Sequence, residues 1–160
     1  MRNYAILIAI AIVFAITPAL QAQTDYDAKA LKSELYQLLK PNYRYDKSKV
    51  SEITVKNMLQ GGEIGVPILN TESYRLLFNT AGFPADVDIK IYDKPMGNNN
   101  RKLLYSSEQE MKSGENIFMY VPSFTHFTTI YIDYIIPAVT DENLIGKKGC
   151  IVFLMGYKVG

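Results

Sequence analysis

The chain is short of the residues that most often carry chemistry. Its 160 residues include one histidine, His126, one cysteine, Cys150, and no tryptophan. A zinc centre gathers several His and Cys ligands, so no metal site is expected, and no motif implies a cofactor. A single cysteine permits no intrachain disulfide, although exported proteins often use them, so the core alone must hold the fold. Neither sign of charge dominates, with 17 Lys and Arg against 16 Asp and Glu. Without a basic block or stripe, nothing points to nucleic acid. No apolar run reaches the roughly 20 residues that a spanning helix needs. A phosphate-cradling loop is missing too: Gly61-Gly62 with Gly65 lacks both the following Lys-Ser/Thr and the strand–loop–helix setting. There is no internal repeat and no low-complexity tract.

What is present begins at the front. Met1-Arg2-Asn3-Tyr4 is a short cationic start, Ala5 to Ile16 is an apolar run, and Pro18 breaks it before Leu20-Gln21-Ala22. This is the pattern of a cleaved signal peptide over residues 1–22, with an uncleaved N-terminal anchor as its rival. Cleavage after Ala22 leaves Gln23 first, and losing Arg2 brings the basic count to 16 against 16 acidic. Cys150 is too distant to accept lipid at that site. The expected destination is the periplasm or cell surface, with no membrane span left after cleavage.

Residues 23–40 read as an amphipathic helix. Ala28, Leu31, Leu35, Leu38 and Leu39 form one apolar stripe, suited to docking on a sheet edge or end. Thr24 with Asp27 resembles a capping box, and Pro41 stops the helix. Residues 41–49 read as a polar connector, and the body over 41–160 as strands. Val50 to Asn57 is ambiguous between strand and helix and is taken as a strand. Gly61-Gly62 reads as a turn, and Glu63 to Leu69 as an edge strand because of Pro67. Ser73–Thr80 and Val87–Tyr92 alternate well, placing Tyr74, Leu76, Phe78, Val87, Ile89 and Ile91 inward. Pro95 and Gly97 to Asn100 form a loop, followed by short strands at Arg101–Ser106 and Asn116–Val121.

Two runs near the carboxyl end organise the rest. In Thr128 to Ile136, Ile130, Ile132, Tyr134 and Ile136 share one face, and Thr129, Tyr131, Asp133 and Ile135 the other. Gly149 to Tyr157 has no polar side chain from Cys150 to Met155, which suggests a strand covered on both sides. About eight strands with regular turn signals predict a mainly β fold. The expected architecture is an antiparallel β-sandwich, jelly-roll or C2-like, with one N-terminal helix.

Candidate chemistry is sparse. His126 has no nucleophile at a recognisable spacing and reads as structural, as does Cys150 inside an apolar run. Asp86, Asp88 and Asp93 are the one acidic constellation near loops, but Asp86 and Asp93 fall at opposite ends of one strand. Calcium needs six to eight oxygen ligands, so these read as turn carboxylates. Glu108 and Glu110 lie in a charged loop where solvation explains them. Tyrosine is plentiful, at 12 residues, and Tyr43, Tyr45, Tyr92, Tyr105 and Tyr131 are predicted on outward faces or loops. Such a surface would suit a protein or glycan partner; the plainer reading is tyrosine covering sheet faces with its hydroxyl in water.

The segments YRLLFNTAGFP, VDIKIYDKP, TTIYIDYIIP and GCIVFLMGYK resemble a set of small exported proteins of Bacteroidetes-type bacteria. The likeness covers about residues 43–158, and the ALQAQ signal ending is similar. It implies no activity and transfers no functional residue. The strand pattern also loosely resembles pre-peptidase and C2-like modules, without the acidic loop clusters of calcium-binding C2 domains. The resulting expectation is an exported, non-enzymatic β-sandwich that binds an envelope protein or glycan. Its rivals are a structural subunit of an envelope assembly and a small hydrolase with a carboxylate/His126 cleft.

Overall fold

The computed structural model describes residues 26–69, 71–110, 115–123 and 128–158. The signal segment and His126 therefore lie outside the described residues. Among the described residues eight strands follow one helix, α1 (Ala28–Leu39). In chain order they are β1 (Tyr43–Thr54), β2 (Gln60–Pro67), β3 (Ser73–Asn79) and β4 (Asp88–Tyr92). Then come β5 (Leu103–Ser106), a single helical turn α2 (Ser107–Glu110), β6 (Ile117–Tyr120), β7 (Thr129–Ile136) and β8 (Lys148–Lys158). One sheet has the order β1-β8-β3-β6 and the other β2-β7-β4-β5.

Every pairing is antiparallel. First pairs with last, second with seventh, third with sixth and fourth with fifth. That is a single long hairpin rolled into two layers, the jelly-roll arrangement. β7 and β8 hold interior positions in opposite sheets, so the two organising runs face each other across the core. Ile130, Ile132 and Ile136 from one meet Ile151, Phe153 and Met155 from the other in one buried cluster. Phe78 and Phe153 add an aromatic contact with ring centroids 5.4 Å apart.

The other face of β8 explains why its sequence has no polar residue. Cys150, Val152 and Leu154 point away from the sandwich and are buried with Leu77, Leu35 and Leu39. α1 lies on that face, so the β1-β8-β3-β6 sheet is covered on both sides. A helix of 12 residues is marginal alone in water, and the sheet supplies the apolar partner that its stripe needs. The cap is Asp27, whose Oδ1 accepts from the Lys29 and Ala30 amides at 2.9 and 3.1 Å. Thr24, proposed from the sequence as the cap, lies outside the described residues. The stripe was expected on a sheet edge or end; it lies across a sheet face. Gly156 makes that approach possible, because a Cβ there would sit 2.6 Å from the Arg44 carbonyl oxygen and 2.7 Å from Leu39 Cδ2.

Two segments differ from their sequence reading. Residues 43–49, read as a connector, are the first half of β1, paired with β8 on both sides of an irregularity at Asp46. Their polar side chains face water on an edge strand, which erases the alternation that marks a strand. Gly61-Gly62 is not a turn but part of β2, opposite Ile135 and Tyr134. Gly62 sits under the Tyr134 ring, where a Cβ would lie 2.5 Å from the hydroxyl oxygen.

Cys150 is fully buried beneath α1, and burial pushes its thiol up to about 11, with Glu52 adding to the rise. Thiolate is the reactive form. Cys150 is therefore expected to resist alkylation at pH 8 in the native protein and to react readily in urea. The sign for stability follows: the unfolded thiol ionises first, so stability is intact below about pH 9 and declines as pH rises toward about 11. A native thiol that reacts at the rate of the unfolded chain would contradict this burial.

Candidate functional site

The two sheets treat their outer faces differently. α1 seals the first, whereas the outer face of β2-β7-β4-β5 carries polar and aromatic groups. Register aligns Glu63, Asp133 and Lys90 in one row across β2, β7 and β4. The next row aligns Gly65, Tyr131 and Tyr92. Tyr92 and Tyr131 are thus direct neighbours, and Gly65 leaves the Tyr131 ring without a bulky neighbour on β2.

Arg101 plugs the middle of this face. Nη1 and Nη2 form a fork on Asp133 at 2.7 and 2.8 Å, and Nη2 also reaches Glu63 Oε2 at 2.8 Å. Its guanidinium lies 3.7 Å from the centre of the Tyr92 ring. The fork on Asp133 is the main reason its pKa is raised. The same residue ties down the β4–β5 loop, since Arg101 Nε donates to the Lys94 carbonyl at 2.8 Å. The loop reaches across β7, where the Met96 amide donates to Glu63. Asp93, considered above as a calcium ligand, instead accepts from the Lys102 amide at 2.7 Å and closes the loop base.

A second polar group lies at the α2 end. Lys90 Nζ meets Glu108 Oε2 at 3.0 Å, and that hydrogen bond and charge hold the Glu108 carboxyl below its usual range. Asp88 moves the opposite way, raised by burial first and then by the nearby Glu108 charge. The pair superficially resembles an acid and a base. Glu108 is exposed and spent on Lys90, so no enclosed cleft forms around it. Among the described residues no group of three or more His, Cys, Asp or Glu could hold a metal ion.

The five tyrosines singled out from the sequence do not form one surface. Tyr92 and Tyr131 share the outer face just described. Tyr43 and Tyr45 lie on β1 in the other sheet, where Arg75 stacks 4.1 Å over Tyr43 and Tyr36 meets Tyr45 at 6.2 Å. Tyr105 is a correction: it is only 6 % exposed and belongs to the core. Register sets it opposite Ile91, on the inward side of β5, and its ring meets Tyr120 at 5.2 Å between the two short edge strands.

Two of the surface hollows among the described residues bear on the site. One, of about 480 Å³, lies beside α1 between Glu34, Asn79 and Asn116. Two of its polar side chains are engaged with each other, since Asn79 Nδ2 donates to Glu34 Oε2 at 2.9 Å. The other, of about 440 Å³, lies between the sheets at the β1/β2 side.

Arg101 is the residue that sequence reasoning passed over, counting it only as a strand position. The signal was elsewhere: Asp133 is the one charge in TTIYIDYII, and a buried carboxylate requires a paired cation. Among the described residues no helix is long and apolar enough to cross a membrane. No family model and no curated protein matches the chain.

Proposed function

We propose that the protein is an exported, non-enzymatic jelly-roll module that binds a protein or glycan of the cell envelope. We also take it to be one of the small exported Bacteroidetes-type proteins that its segments resemble. Its working surface is the outer face of β2-β7-β4-β5 around Tyr131 and Tyr92. One observation carries the reading: two tyrosines stand side by side on the sheet face that α1 does not seal. Tyrosine offers a large amphipathic contact area at small entropic cost, and the Arg101 plug fixes the surrounding loop before any partner arrives. Pre-organisation of that kind removes an ordering cost from binding. The apolar stripe of α1 packs on its own sheet, which counts against assembly through that stripe.

The test is retention of envelope polysaccharide and protein fractions on the immobilised protein, followed by affinity measurement for the retained component. Tyr131→Ala is expected to weaken binding about tenfold with unchanged urea unfolding. Undiminished binding by that variant, or no retained component with the parent protein, would remove the proposal.

A further inference from the structure

The hollow at the β1/β2 side has the make-up of a small-ligand site. Its volume of about 440 Å³ falls within the range of ligand clefts. Its lining joins apolar and charged residues: Ile68, Leu69, Tyr74 and Tyr157, with Asp46, Lys47 and Glu72 around them. Leu69 is 65 % exposed, an apolar side chain left standing at the mouth. Tyr74 is held in place by its own hydroxyl, which accepts from the Leu69 amide at 3.3 Å.

The strand that supplies the charges is bent for the purpose. β1 and β8 slip register between Tyr45 and Lys47, leaving Asp46 without a partner across the ladder. Neighbouring residues of a regular strand point to opposite faces, yet Asp46 and Lys47 both line this hollow. A β-bulge allows that, and bulges recur where a side chain must be re-aimed beside a site. The bulge lies on the long edge strand, at the opening between the two sheets.

Charge decides the ligand class. Lys47 Nζ is 3.6 Å from Asp46 Oδ2, so that pair is near neutral as a unit. Glu72 has no ion-pair partner among the described residues, leaving the lining with both a donor cation and hydrogen-bond acceptors. The lining therefore carries one net negative charge, which disfavours an anion, and its excess of acceptors suits a ligand rich in hydroxyl donors. We propose that this cleft binds a neutral sugar, a mono- or disaccharide, with a ring face against Tyr157. Its hydroxyls donate to Asp46 and Glu72 and accept from Lys47. The site is separate from the Tyr92/Tyr131 face and stands independently of it.

The experiment is an amide chemical-shift titration of the isotopically labelled protein with cellobiose, maltose and N,N′-diacetylchitobiose. Glucuronate and choline serve as charged comparators. A neutral sugar is expected to shift the amides of Lys47, Leu69, Glu72 and Tyr157 saturably, and to bind more tightly than either comparator. Glu72→Ala is expected to weaken it about tenfold, while Glu72→Gln retains an acceptor and most of the affinity. The inference is overturned if no neutral sugar shifts these amides at about 50 mM, a level above any useful affinity. It is equally overturned if a comparator binds more tightly, or if Glu72→Ala changes nothing. Shifts confined to Tyr92 and Tyr131 would sink the cleft while supporting the outer face.

Discussion

Replacing Arg101 by alanine is expected to cost about 3 kcal/mol of stability, with a fall in melting temperature of about 10 °C. The reason is what stays behind. The Asp133 side chain is 5 % exposed and that of Arg101 14 %, so removing the guanidinium strands a carboxylate in the sheet without its fork. Glu63, 23 % exposed at its side chain, has more water to fall back on, which keeps the effect at the lower end for buried pairs. Charge alone does not replace the group, because Lys cannot reproduce two parallel hydrogen bonds. Arg101→Lys should therefore recover only part of the loss. The double change Arg101→Met with Asp133→Leu should recover most of it, since a packed apolar pair avoids the desolvation of both ions. Urea unfolding of the four proteins decides the matter. A loss of under about 1 kcal/mol for Arg101→Ala would mean that the plug is ornamental.

Leu35→Ala is expected to lower stability by a similar amount, about 3 kcal/mol, through the cavity left between α1 and β8. Leu35 is fully buried, and it meets Cys150, Val152 and Leu154 in the cluster outside the sandwich. Because a helix this short depends on its docking, the loss should loosen the whole element. Cys150 then reports directly: its alkylation at pH 8, expected to be slow in the parent protein, should accelerate in Leu35→Ala. The two readouts together separate a loosened helix from a general decline in stability. Unchanged unfolding and an unreactive thiol would show that α1 is held by other contacts.

The parts of the fold legible in the sequence are those where burial imposes a period. β4 and β7 alternate because one face meets the core. β8 does not alternate because α1 covers its second face, and that absence was itself readable. Where burial is weak, the pattern fades. The first half of β1 is a solvent-washed edge, so Tyr43 to Lys49 looks like a linker although all but Asp46 pair with β8. Gly61-Gly62 carries a turn's composition, but the Tyr134 ring needs the space. Tyr105 shows the limit for site residues: on a strand of four residues, alternation cannot tell inside from outside. Tyr92 and Tyr131 were placed correctly as outward, and register made them neighbours. Arg101 needed the tertiary structure, because its partners Glu63 and Asp133 come from two strands distant in sequence.

The pairing of β1 with β8 has a consequence for assembly. Tyr43 meets Lys158, and β8 also forms the ladder with β3, so that sheet waits for β8, the last of its strands in chain order. Until that segment is delivered, β1 and β3 have no common neighbour and α1 has no bed. A sheet wired in this way stays open until β8 has been made. Such distant pairings also make for slow closure. Removing the final strand should leave a collapsed, sticky fragment rather than a smaller working version of the same body.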